Sequence, residues 1–141
     1  MHALTDTERA EARALIERAL DEDLRYGPDV TTEATVPADA VTTAAMASRE
    51  HGVAAGVDVA VLVLDAVLGA DGYTVLERLA DGTRVQPGQA LLRVQAPTRG
   101  LLTAERTMLN LVCHLSGIAT ATPDVVIARI GVEFRAADVA P

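Results

Sequence analysis

The chain contains no lysine, since all twelve of its basic residues are arginine. That absence excludes Schiff-base chemistry and any prosthetic group tethered through a lysine amine. Cysteine is nearly as scarce. Cys113 stands alone, so no internal disulfide can form, and a reducing compartment is expected. The three histidines, His2, His51 and His114, do not combine with it into a zinc-ligand spacing. Tryptophan is missing and aromatic residues make up only 2% of the chain, which excludes an aromatic platform for stacking bases. Positive charge is also in deficit. The net charge of −8 argues against nucleic acid or an anionic membrane as partner, because phosphate binding needs a basic patch. Long hydrophobic runs are lacking too. The least charged stretch, 53–68, is interrupted by Asp58 and Asp65 and is too short to span a bilayer. The N-terminal stretch is charged from Asp6 onward and does not read as a signal peptide. These absences together lead us to expect a cytoplasmic protein.

What is present is aliphatic. Half of the 141 residues are hydrophobic, mostly Ala, Val and Leu, enough for one domain with a real core. Ala12, Leu15, Ile16, Ala19 and Leu20 recur at helical spacing and predict an amphipathic first helix, with Thr5 or Asp6 as its N-cap. "DEDLRYGPDVTTEATVP" follows as a loop broken by Gly27-Pro28. Val41–Ser48 reads as a strand. "REHGVAAGVD" then leads to a helix over Val57–Leu68, apolar on nearly all sides and therefore buried. "YTVLERL" and "ALLRVQAP" read as strands, separated by Asp81-Gly82 and Gln86-Pro87-Gly88. A third helix is capped by Thr103 and broken near Pro123, and 124–141 shows a short apolar run and then little pattern. The expected fold class is α+β, with helices packed on a mostly antiparallel sheet.

Two stretches look like chemistry. "DGTRVQPGQALLRVQAP" at 81–97 has the turn-rich phrasing of biotinyl and lipoyl carrier hairpins, but without lysine no such cofactor can be attached. Gly82 and Gly88 are instead expected to serve turns. The second stretch is the helix "TAERTMLNLVCHLSGIAT" at 103–120. Ala104, Met108, Leu111, Val112, Leu115, Ile118 and Ala119 fall in one arc of roughly 120°, which is the predicted core face. The opposite arc holds Arg106, Gly117, Asn110, Thr103, His114 and Thr107, a face that is polar but poor in charge. In one reading, Asn110 and His114 satisfy buried backbone groups of a neighbouring loop. In the other, the face is a rigid wall for a small anion, with Arg106 and the positive end of the helix acting together on a carboxylate or phosphate. Cys113 beside this face is expected to be an inert small hydrophobe. Glu22 and Asp23 are expected to make helix-end or turn hydrogen bonds. No glycine-rich phosphate loop, nucleophile elbow or zinc-protease motif occurs.

Four segments in this order resemble the N-terminal half of the quinolinate phosphoribosyltransferase family: "LDEDLRYGPDVTT" at 20–32, "REHGVAAGVDVA" at 49–60, "DGTRVQPGQALLRV" at 81–94 and "RGLLTAERTMLNLVCHLSGIATAT" at 99–122. A molybdenum-transport-associated family shares the architecture. The resemblance implies an N-terminal α/β sandwich domain followed by an open α/β barrel. It also implies a glycosyl transfer in NAD biosynthesis. Phosphoribosyl passes from phosphoribosyl pyrophosphate to quinolinate, giving nicotinate mononucleotide, CO2 and pyrophosphate. Sites in the family are shared, the N-terminal domain of one subunit covering the barrel of its dimer partner. The arginine of the family's "ERT-x-LN" motif reaches a substrate carboxylate there, and it matches Arg106. Asn110 and His114 are candidates for the same wall.

The resemblance stops short of a whole enzyme. The family's "RDTRKT"-like and "KDNH"-like segments have no counterpart in 123–141, and its catalytic and phosphate-binding lysines are excluded by composition. The expectation is a truncated chain, with residues 1–114 as the N-terminal domain and 115–141 as the start of the barrel with a divergent tail. No catalytic residue and no metal ligand is assigned to it. The Mg2+ that accompanies phosphoribosyl pyrophosphate in the family would be held by the barrel. The chain is expected to be inactive alone. The alternatives are a non-enzymatic lid supplying Arg106 in trans, to a homodimer partner or a separate barrel subunit, and a non-functional remnant.

Overall fold

The computed structural model describes residues 3–27 and 29–122, together with the strand 132–136. Four helices are described: α1 (Asp6–Asp23), α2 (Val30–Thr35), α3 (Val57–Leu68) and α4 (Thr98–Ala121). The strands are β1 (Val41–Ser48), β2 (Gly52–Val53), β3 (Thr74–Arg78), β4 (Arg84–Val85), β5 (Ala90–Pro97) and β6 (Val132–Ala136). The α+β expectation holds. A four-stranded sheet has the order β3-β5-β1-β6, and its strand pairs are all antiparallel; β2 and β4 form a separate two-stranded ribbon.

The pleat decides which face of the sheet is buried. Val94 lies opposite Ala44 and Leu92 opposite Met46, and these side chains are buried together. On the other face Thr43 and Ala45 stand opposite Gln95 and Arg93, where Arg93 meets Glu77 at 3.3 Å. One face therefore carries the core and the other does not, as alternation with a period of two requires. Helices α3 and α4 pack on one another over the buried face. Val57, Val63 and Leu64 of α3 meet Leu101, Ala104, Met108 and Val112 of α4 in one aliphatic cluster with β1 and β5. Gly100 permits the close approach of these helices, because a Cβ there would lie 2.1 Å from Leu68 Cδ2.

The first helix begins as expected. Thr5 caps it, accepting from the Glu8 amide at 3.2 Å while the Glu8 carboxylate accepts from the Thr5 amide at 2.8 Å. Its apolar stripe is only thinly covered, however. Ile16 is buried, but Leu15 is 45% exposed, because α1 rests on the outside of α3 rather than inside the core.

Several differences concern the helix that carries the candidate site. It starts at Thr98, following directly on β5, so Thr103 is not its cap. The Thr103 hydroxyl instead donates back to the Arg99 carbonyl at 3.0 Å. Thr107, placed by periodicity on the polar arc, is only 2% exposed, and Ile118, placed on the core arc, is 53% exposed. The segment 21–37 also contains a short helix, α2, where a loop was expected. Strand β6 lies in the stretch 124–141, where the sequence shows little pattern.

Candidate functional site

Ser116 and Thr120, rather than Asn110 and His114, satisfy the backbone of the neighbouring loop. The buried Ser116 hydroxyl accepts from the Ala55 amide at 2.9 Å and donates to the Ala55 carbonyl at 3.0 Å. One turn on, Thr120 accepts from the Val53 amide at 2.9 Å. The loop before α3 is thus satisfied by hydroxyls of α4. A further partner is Asp81, whose carboxylate accepts from the Gly56 and Val57 amides at 3.0 and 2.9 Å. Asp81 thereby caps α3 from a distant turn, supplying the side-chain cap that its own N-cap, Gly56, cannot.

Asn110 and His114 are exposed, and among the described residues neither has a hydrogen-bond or ion-pair partner. With Arg106 they form a stripe at successive turns of α4, a rise of about 6 Å per step. Cys113, half-buried beside them, packs against the core as a small hydrophobe.

Arg106 lies at the upper end of this stripe, beside a cleft of about 340 Å3 lined by Asp23, Leu24, Gly27, Asp29, Leu102, Thr103 and Arg106. Asn110 and His114 lie along the same helix but outside this lining. Two elements set the cleft: the C-terminal end of α1 with the turn after it, and the first half of α4. Asp23, the last residue of α1, accepts from the Thr107 hydroxyl at 3.1 Å through Oδ2 and faces Arg106 Nε at 3.7 Å through Oδ1. Asp23, expected to hydrogen-bond at its own helix end or turn, instead has its hydrogen-bond partner on α4, which no local pattern announces.

The Arg106 side chain is 79% exposed, and at 3.7 Å its pairing with Asp23 is too long for a hydrogen bond. Such a pair contributes at most about 0.5–1 kcal/mol. Its guanidinium is therefore charged, planar and largely uncommitted. Arg99, two turns earlier, makes the contrast. Its Nε donates to the Val36 carbonyl at 2.8 Å and its Nη2 to the Glu33 carbonyl at 3.0 Å, closing the C-terminal end of α2 against α4. That arginine is structural. Asp29 caps the other end of α2, accepting from the Thr32 amide at 3.2 Å. The hydrogen bond from the Thr32 side chain, followed by that from its amide, holds the Asp29 carboxyl below its ordinary pKa of 3.8.

The helix-dipole part of the anion reading fails. With α4 beginning at Thr98, Arg106 sits more than two turns inside the helix, where the terminal field has faded. Any grip on an anion there belongs to the guanidinium itself. Among the described residues no group of three or more His, Cys, Asp or Glu side chains converges as a metal site requires. No described helix is long and apolar enough to cross a membrane.

Comparison with known proteins fixes the family. Residues 29–116 match the model of the quinolinate phosphoribosyl transferase N-terminal domain. Nicotinate-nucleotide pyrophosphorylase (carboxylating) of Mycobacterium leprae is 63% identical over 135 residues, which are 96% of this chain and 48% of that protein. A probable nicotinate-nucleotide pyrophosphorylase of Methanothermobacter thermautotrophicus is 36% identical over 94 residues, 67% of this chain and 32% of that one. Among solved structures, NadC of Streptococcus pyogenes superposes with a TM-score of 0.74 at 30% identity, covering 86% of this chain and 41% of that one. The chain thus spans about half the length of the Mycobacterium leprae relative, and its fold corresponds to the domain that precedes the barrel. By a family match covering well over half of its length, the chain belongs to the quinolinate phosphoribosyltransferase family, whose N-terminal domain it represents.

Proposed function

We propose that this chain is the covering domain of a nicotinate-nucleotide pyrophosphorylase, and that Arg106 grips a carboxylate of quinolinate in a site completed by the barrel of another subunit. One observation carries the reading. Among the arginines of α4, the one within the "ERT-x-LN" motif keeps its donors nearly uncommitted beside an open cleft, while Arg99 spends its own on backbone carbonyls. A planar guanidinium can hold a carboxylate through two parallel hydrogen bonds, and closing the cleft against a second surface would strip water from that pair and strengthen it.

Asn110 and His114 extend the same exposed face and are assigned to the wall of the shared site rather than to chemistry. In this reading residues 1–114 form the covering domain, and 115–141, beginning within α4, lead on towards a barrel. The barrel belongs to a homodimer partner or to a separate subunit, and Mg2+ with phosphoribosyl pyrophosphate binds there. On their own the 141 residues form no nicotinate mononucleotide. They contain no lysine, and the described residues offer no cluster to hold a metal-bound pyrophosphate.

The test is co-expression with the barrel domain of a family relative, following nicotinate mononucleotide formed from quinolinate and phosphoribosyl pyrophosphate. The chain alone should be silent and the pair active. Arg106→Ala should lower kcat/KM by about 10²-fold or more, as expected when one partner of a desolvated charge pair is removed. Turnover by the isolated chain would overturn the dependence on a barrel. An Ala variant as active as the native pair would remove Arg106 from the site.

A further inference from the structure

We propose that Asp23 is a positioning residue for Arg106, itself held in place by the buried hydroxyl of Thr107. The functional consequence rests on the role given to Arg106 above, but the clamp itself does not. Thr107 is 2% exposed, so its hydroxyl needs a partner inside the protein, and it donates to Asp23 Oδ2 at 3.1 Å. That bond anchors one carboxylate oxygen of Asp23 on α4. The second oxygen, Oδ1, is then left facing Arg106 Nε at 3.7 Å. Thr107 and Arg106 are adjacent in α4, so one carboxylate from α1 reads both residues of the Arg-Thr pair in the motif.

The side of approach is what matters. A guanidinium offers five donors in a rigid fork. Asp23 meets it at Nε, leaving the two terminal nitrogens without a partner among the described residues. Those two are the pair that can take an incoming carboxylate bidentately. A shorter, two-pronged contact with Asp23 would neutralise the arginine, and no contact at all would leave a long side chain to search its rotamers. A one-sided contact at 3.7 Å orients the group without using it up. Asp29, across the same cleft, is committed to capping α2 and does not compete for the guanidinium. The arrangement also accounts for the burial of Thr107 on a face that helical periodicity would leave wet.

The test begins on the 141-residue chain without ligand, reading the 15N heteronuclear NOE of the arginine Nε–Hε groups. Arg106 should be clearly more restricted than Arg84, which is exposed on β4. Asp23→Asn and Thr107→Val should each bring Arg106 to the Arg84 value, although Thr107→Val leaves both charged groups in place. Thr107→Ser keeps the hydroxyl and should retain the restriction, so a Val variant that fails to fold does not remove the test. An Arg106 signal as mobile as that of Arg84 in the native chain, or unmoved by Asp23→Asn, overturns the clamp. In the active complex with a barrel, Asp23→Asn should raise the KM for quinolinate about two- to fivefold, with most of the loss in KM rather than kcat. An unchanged KM there would overturn the role of the clamp in binding. A clamp seen by NMR in a chain that never supports turnover refutes the proposed function and leaves the clamp standing.

Discussion

Ser116→Ala is the substitution that most directly separates what α4 does for the fold from what it does for the site. The hydroxyl is fully buried and serves both backbone groups of Ala55, accepting at 2.9 Å and donating at 3.0 Å. Alanine removes one oxygen, a space too small to admit a water that could take over. Two partly buried backbone groups are then left unpaired, at about 1–3 kcal/mol each, and a total near 2–4 kcal/mol follows when partial relaxation is allowed. For a chain of this size each kcal/mol lowers Tm by about 4 °C, so a fall of roughly 8–16 °C is expected. Thr120→Val, which orphans only the Val53 amide, should cost about half as much. Asn110→Ala and His114→Ala, exposed and without hydrogen-bond partners among the described residues, should stay within about 0.5 kcal/mol of the native protein. Thermal unfolding followed by circular dichroism on all four variants makes the comparison. If Ser116→Ala cost less than about 1 kcal/mol, or Asn110→Ala cost as much as Ser116→Ala, the division of α4 into a supporting and a free face would be wrong.

Asp81→Ala should destabilise by about 1–2 kcal/mol in urea melts, since it removes the only side-chain cap of α3 among the described residues. Gly56→Ala should be worse than an ordinary glycine substitution: its φ of +86° is left-handed, and a Cβ would meet Leu115 Cδ1 at 2.7 Å, so a loss of about 2–4 kcal/mol is expected in the same melts. Because the folded pKa of Asp29 lies below 3.8, the stability it lends is fully present above pH 3.8 and disappears as pH falls through the lower folded value. Acid titration of the native chain against Asp29→Ala, read by unfolding midpoint, should show the two curves converging in that acid range. Curves that ran parallel there would contradict the capping role.

Much of the fold is legible because its elements are stated locally. Val41–Ser48, Val57–Leu68 and Ala90–Pro97 appear in the structure with the bounds that pattern predicts. Each is a short apolar or alternating run, the last two ended by Gly69 and Pro97. The misses share a different cause. In α2, Val30 and the threonines at 31, 32 and 35 have low helix propensity. The helix exists because Asp29 caps its first turn and Arg99, sixty-six residues from Glu33, collects its last carbonyls. The two-residue strands β2 and β4 are too short to carry a period at all. Periodicity misplaced Thr107 and Ile118 because it assumes one buried arc, whereas α1 reaches the side of α4 that bears Thr107 while Ile118 stays 53% exposed. The site follows the same division. The motif around Arg106 pointed to the residue, and the structure confirms that the face bearing Arg106, Asn110 and His114 is exposed. What no window of sequence contains is Asp23, eighty-three positions before Arg106, arriving at Nε because a buried threonine hydroxyl required a partner. Local patterns name the residues that build elements and motifs. The partners that orient those residues are selected by unsatisfied polar groups at helix contacts, and only the folded chain brings them together.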